Sequence, residues 1–94
     1  MAIVVMNEMQ GGDQGLYDQV TSAVMPDGRL PDGCKDHIAG PMEGGWRVIT
    51  VWDSDEQFQR FRNETLIPAI QAQGREDVVA PRIESQPVHR HITA

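Results

Sequence analysis

A single cysteine, Cys34, leaves the chain with no internal disulfide, so no covalent staple holds it together. A lone thiol and no signal-like segment fit a reducing compartment, and the expected location is cytoplasmic. Cations are scarce as well: eight Lys and Arg stand against fourteen Asp and Glu, for a net charge of −6. Nucleic acid and anionic membrane surfaces both demand clustered cations, and these are scattered, so neither is an expected partner. Long hydrophobic runs are missing. The N-terminal MAIVVMNEM is interrupted by Asn7 and Glu8 and is too short to span a bilayer. No phosphate-binding glycine loop, no zinc-type Cys/His spacing and no Gly-x-Ser-x-Gly turn occurs. Aromatic rings are few, two Trp, two Phe and one Tyr, which makes the placement of each one informative.

What is present reads as one domain over residues 1–94, small enough that self-association is a natural source of added stability. Residues 2–9 (AIVVMNEM) are rich in β-branched side chains and predict a strand. Its period of two puts Ile3, Val5, Asn7 and Met9 on one face and Ala2, Val4, Met6 and Glu8 on the other, both largely apolar. After GGDQG, Asp13 is placed to cap a helix over 14–25, with Leu16, Tyr17, Val20, Ala23 and Val24 on one face and Pro26 at its end. Two Pro-Asp-Gly turns (26–33) follow. Residues 34–39 predict a second strand with Lys35, His37 and Ala39 on one side. GPMEGG (40–45) predicts a hairpin loop. WRVITVW (46–52) is the strongest strand, with Trp46, Val48, Thr50 and Trp52 on one face and Arg47, Ile49 and Val51 on the other.

Ser54 and Gln57 form a capping box, with Asp53, Asp55 and Glu56 at the positive end of the helix that follows. Phe58, Phe61, Thr65, Ala69 and Ala72 make its apolar seam. Pro68 should kink or end the helix near Ile67, and Gly74 should stop what remains. A polar link leads to a last strand over 82–92, where Pro87 predicts a bulge or an edge position. The order β-α-β-β-α-β is the ferredoxin-like arrangement, an α+β fold with an antiparallel sheet. Its helices cover one sheet face. The apolar residues left on the other face predict a homodimer in which two sheets close into a barrel.

The string VWDSDEQFQRF resembles the signature of the dimeric α+β barrel proteins grouped as antibiotic biosynthesis monooxygenase-like domains. The longer run HIAGPMEGGWRVITVWDSDEQFQRF is similar to small actinobacterial members of that superfamily. The resemblance spans nearly the whole chain in element order, with its motif content in residues 37–61. It implies a sheet–helix cavity for a small aromatic or polyketide-like molecule. In the cofactor-free oxygenases of this group, the substrate carbanion or phenolate itself reacts with oxygen. Haem-degrading members carry an Asn in the first strand, matched by Asn7, and a haem-ligating His on the second helix. That position falls near Ile70, and residues 58–73 contain no histidine. Ile cannot ligate iron, so haem degradation loses its central residue.

Several residues are candidates for chemistry. His37 titrates in the range suited to proton transfer and is the first choice for a catalytic base, against a purely structural or exposed histidine. Asn7, polar within an apolar strand, is either bonded to neighbouring backbone or water, or turned to a substrate oxygen as an oxyanion partner. Trp52 and Phe61 are candidate walls. Tyr17 is either core with its hydroxyl at the rim or part of the binding site. Arg47 is a candidate substrate ligand that, if buried, pairs instead with Asp36 or Glu84. His89 and His91 have a spacing that suits a metal but no third ligand nearby, so no metal is expected. Cys34 has only Lys35 beside it to lower its pKa and is expected to be inert. Three functions are compatible with these residues: a cofactor-free monooxygenase, a polyketide cyclase using the same proton-transfer groups, and a non-catalytic ligand-binding or accessory dimer.

Overall fold

A computed structural model describes residues 1–75 and 81–94. Four strands form one antiparallel sheet: β1 (Ile3–Gln10), β2 (Cys34–Met42), β3 (Gly45–Trp52) and β4 (Arg82–Pro87), in the order β2-β3-β1-β4. Helix α1 (Gln14–Val24) joins β1 to β2. A second helical segment joins β3 to β4 and has three parts: α2 (Asp55–Phe61), a π-helical turn (Arg62–Leu66) and α3 (Ile67–Ala72). This is the α+β, ferredoxin-like arrangement that the sequence predicts. The polar link ahead of β4 lies mainly outside the described residues.

The period of two in β1 holds along its length. Ile3, Val5, Asn7 and Met9 are buried under the helices, while Val4, Met6 and Glu8 face the other way. β1 is central, paired with β3 from Ile3↔Trp52 to Gln10↔Gly45 and with β4 from Ile3↔Pro87 to Glu8↔Arg82. Each helix starts where its cap stands. Asp13 Oδ1 accepts the Leu16 N–H at 2.8 Å, and Ser54 Oγ accepts the Gln57 N–H at 3.2 Å. The Ser54 hydroxyl also donates to Gln57 Oε1 at 3.0 Å, so the box is closed from both ends.

Two clusters make the core. In the first, Trp52 is 1% exposed and packs edge-on against Phe58 with ring centroids 5.5 Å apart, among Ile3, Val5 and Cys34. In the second, Met9, Leu16 and Val20 meet Val24, Leu66, Ala69 and Ile70.

The structure departs from the sequence expectations in five places. β2 runs on through Gly40, Pro41 and Met42, which pair with Arg47, Trp46 and Gly45, so the hairpin loop shrinks to Glu43 and Gly44. Pro41 is tolerated because β2 is an edge strand and a missing N–H there leaves no neighbour unpaired. A bulge between Cys34 and Asp36 then resets the parity, so Cys34, and not Lys35, shares the inner face with His37. Of the two outcomes expected at Pro68, the helix does not end there but its regular turn is broken. Pro68 lacks the N–H for a regular turn, and the chain widens just before it, with the Ile67 N–H reaching Arg62 O. The extra residue in that turn moves the inner seam from Thr65 to Leu66 and adds Ile70. On α1, Ala23 is exposed and Thr21 takes the inner position. Finally, β4 stops at Pro87, not at residue 92. Pro87 lies opposite Ile3, where β1 begins, and past it there is no ladder left to join beyond Val88 N–H to Ala2 O.

Gly45 is the tightest glycine: a Cβ there would run into the Met9 carbonyl oxygen. Two substitutions test the local accounting by urea unfolding. Ser54→Ala should lose about 1 kcal/mol through the lost cap. Gly45→Ala should lose about 1–3 kcal/mol, because the atom it meets is main chain and cannot swing aside.

Candidate functional site

A cavity lies between the inner sheet face and the helices. Its walls are mostly apolar: Val5, Met9, Val20, Val24, Val48, Trp52, Phe58, Phe61, Leu66 and Ile70 contribute to them. Five polar side chains interrupt these walls: Asn7, Tyr17, Thr21, His37 and Thr50. The space inside is about 60 Å³. A dry cavity of about 150 Å³ takes benzene, so an aromatic ring is admitted only as the walls part. Pro31 and Phe61 line this cavity and also a surface groove with Asp32, Gln57, Arg60, Glu64 and Thr65. Those two residues therefore stand between the cavity and that groove.

Asn7 arrives in the cavity by strand parity and is 9% exposed. Its Oδ1 is buried with no hydrogen-bond partner among the described residues. Leaving such an acceptor unpaired costs about 1–3 kcal/mol, and a ligand donor would recover that cost. His37 comes from β2, opposite Thr50 of β3. Its half-buried ring is pushed below its ordinary pKa of 6.5 by loss of solvent, so it is neutral near pH 7. Tyr17 reaches it from α1, with the hydroxyl 2.6 Å from His37 Nε2 and the ring centroids 5.8 Å apart. The sequence places Tyr17 on the inward face of its helix and leaves the sheet face of His37 open. Their pairing across twenty positions is a contact that no local pattern encodes.

The two tryptophans divide. Trp52 Nε1–H donates to Thr50 Oγ1 at 2.9 Å, so its polar edge is already engaged and its ring is wall and core, with Phe61 centred 5.2 Å away. Trp46 packs at a tilt against Tyr17, 5.4 Å between centroids, and steadies that ring. Cys34 also lines the cavity, but burial pushes its thiol up to about 11, so it stays protonated.

Arg47 is not brought to this cavity. Strand parity turns it to the opposite sheet face, where it is exposed and pairs with Glu8 at 2.7 Å, not with Asp36 or Glu84. Glu84 pairs with Arg82 in its own strand, and Asp36 pairs with His91 at 2.8 Å. His89 and His91 lie beyond the last strand, beside Val4 and Val51 of the outer face. Among the described residues, no group of three His, Cys, Asp or Glu is placed to hold a metal, and no helix is long and apolar enough to cross a membrane.

No protein-family model and no curated protein matches the sequence. Solved structures do match the fold. A cofactor-independent oxygenase from Streptomyces nogalater, SnoaB, solved as an asparagine-to-alanine variant, superposes with a TM-score of 0.68 at 10% identity. The match covers 99% of this chain and 98% of that one. A Deinococcus radiodurans protein assigned to the antibiotic biosynthesis monooxygenases gives 0.64 at 18% identity, over 100% and 98%. The haem-degrader MhuD from Mycobacterium tuberculosis, with two haems in its active site, gives 0.60 at 22% identity, over 97% and 99%. The chain thus has the fold of the antibiotic biosynthesis monooxygenase-like proteins, as the VWDSDEQFQRF motif implies.

The depressed pKa of His37 has a signed consequence. Protonation favours the unfolded chain, so this residue's contribution to stability is lost as pH falls from 6.5 through the lower folded value. Urea midpoints taken at falling pH should decline more steeply for the native chain than for His37→Gln.

Proposed function

We propose that the chain is a cofactor-independent oxygenase acting on a small phenolic or enolic substrate. One observation carries this reading: a buried, unpartnered Asn7 Oδ1 shares an otherwise apolar cavity with a neutral histidine. The likeness of fold to a cofactor-independent oxygenase supports it. Asn7 Oδ1 first accepts the substrate hydroxyl; the hydroxyl then turns its hydrogen away from the amide, and the proton ends on His37. The carboxamide, turned end for end about its last torsion, then donates from Nδ2 to the oxygen that has become an anion. The electron-rich ring carbon transfers two electrons to dioxygen, and a hydroperoxide forms at that carbon. Loss of water leaves a carbonyl: one oxygen atom stays in the product, and the other departs with two hydrogens. Trp52, Phe58 and Phe61 keep bulk water from the intermediate.

Haem does not fit these residues. Ile70 lines the cavity where the haem-degrading relatives are implied to carry their ligand, and the cavity's own histidine has Nε2 engaged by Tyr17. The sparse polarity of the cavity also favours a second reading, a dimer that binds a small hydrophobic ligand without turning it over. Oxygen uptake and tryptophan quenching, followed together on a panel of phenols and naphthols, separate the two. The oxygenase consumes oxygen, Asn7→Ala lowers kcat about 10–100-fold and His37→Ala abolishes turnover. Quenching without uptake leaves the binding protein.

The outer sheet face belongs to the same proposal. Val4, Met6, Ile38, Ile49 and Val51 present apolar surface there, and Ile38 is 64% exposed. A second copy of the chain, sheet against sheet, buries them in the manner of the dimeric barrels it resembles. Sedimentation at micromolar concentration should show a dimer, and Ile38→Glu combined with Ile49→Lys should give a folded monomer.

A further inference from the structure

We infer that Tyr17, and not His37, is the residue that meets the substrate hydroxyl, and that the proton reaches His37 through the Tyr17 oxygen. This rests on the oxygenase reading above and assigns its proton path.

The geometry closes the alternatives one at a time. His37 is neutral, so one ring nitrogen holds a lone pair and the other holds a proton. The Tyr17 hydroxyl lies 2.6 Å from Nε2. A phenol O–H is the stronger donor of the two groups, and an imidazole nitrogen is the stronger acceptor, so Tyr17 donates and Nε2 accepts. The proton then sits on Nδ1, which has no lone pair left to act as a base. Nε2 is the only basic atom, and Tyr17 occupies it. A substrate that approaches His37 directly therefore finds no free base on the ring. The Tyr17 oxygen, by contrast, has given its hydrogen to Nε2 and still has lone pairs to offer a hydroxyl in the cavity it lines.

The step balances. The substrate O–H bond breaks as a new O–H bond forms on Tyr17. The original Tyr17 O–H bond breaks as an N–H bond forms on Nε2. A neutral substrate and a neutral pair become a substrate anion and an imidazolium, with Tyr17 unchanged in charge. After dioxygen has added, the same path runs backwards and returns the proton to the oxygen that leaves as water. Trp46, packed at a tilt against the Tyr17 ring, holds it so that its hydroxyl stays within reach of both partners.

Two features make the test clean. Tyr17 is the chain's one tyrosine, and His37 is the one histidine of three that lines the cavity. The probe is 4-nitrophenol, which is yellow only as its anion. Below the free phenol's own pKa, the native chain should bind it as nitrophenolate, because the oxyanion beside the pair favours the imidazolium that the empty cavity disfavours, and the His37 ring resonance moves to the imidazolium position. Tyr17→Phe, folded by circular dichroism, should bind the neutral phenol, with no bound anion and no shift at His37, and should lower turnover of oxidisable phenols about 10²-fold or more. His37→Gln should likewise bind only the neutral form. Turnover by the native chain in mixtures of light and heavy water should curve as two protons move together. If Tyr17→Phe still binds nitrophenolate, or turns over as fast as the native chain, His37 acts directly and the relay is wrong. If the native chain binds the phenol only as the neutral form, or not at all, the relay is overturned too. Bound nitrophenolate in the native chain but no oxygen uptake with any phenol keeps the relay and removes the oxygenase.

Discussion

β1 is hydrogen-bonded on both sides, to β3 along its whole length and to β4 over six of its residues, and this double ladder locks its register. A slip by one residue would turn Met6 and Glu8 under the helices and expose Val5 and Met9, so the burial of one face excludes it. Everything at the site is referred to this strand. Asn7 sits in the cavity because it lies an even number of residues from Val5 and Met9. Thr50 and Trp52 reach the same face through their pairing with Val5 and Ile3. His37 follows one strand further out, through Thr50. The same parity that brings Asn7 in sends Glu8 and Arg47 out together as an ion pair.

Energetically, the site is a local deficit carried by its surroundings. The unpartnered Asn7 acceptor costs about 1–3 kcal/mol, and burial without a charged partner depresses His37. Burying one side chain of the Phe or Leu class contributes about 1.5–3 kcal/mol. Phe58, Leu16 and Val20 alone therefore outweigh one orphaned amide oxygen, before the ring contacts around Trp52 are counted. A fold with such a core can keep an unmet hydrogen bond facing its cavity. The π-helical turn adds to this economy of means. By widening the helix ahead of Pro68 it turns Leu66 and Ile70 inward and completes the wall opposite the sheet.

Much of this is legible in the sequence alone. The alternation in residues 2–9 and 46–52 assigns faces, and the assigned faces hold. Asp13 and Ser54 cap helices because a short side-chain oxygen next to free N–H groups is a local event. The expectations that failed share a physical cause. Pro41 and Gly40 look like loop residues until an adjacent strand offers them a ladder. The last strand looks as if it runs to residue 92 until β1 runs out opposite Pro87. Lys35 looks inward by strict alternation until a bulge absorbs it. In each case the deciding partner lies outside the segment whose pattern was read.

The site divides along the same line. That Asn7 shares a face of its strand with Val5 and Met9, that Trp46 and Trp52 share a face of theirs, and that the helix region 58–73 has no histidine to offer a haem are properties of spacing and composition, and the sequence alone determines them. That Tyr17 and His37 touch, that Trp52 spends its N–H on Thr50 while Trp46 backs Tyr17, and that Arg47 answers to Glu8 were decided only by the tertiary structure. Periodicity and capping act over a few residues, within reach of a local pattern. The side-chain pairs depend on strand register and on where a helix settles across a sheet, and those are set by the packing of the whole core.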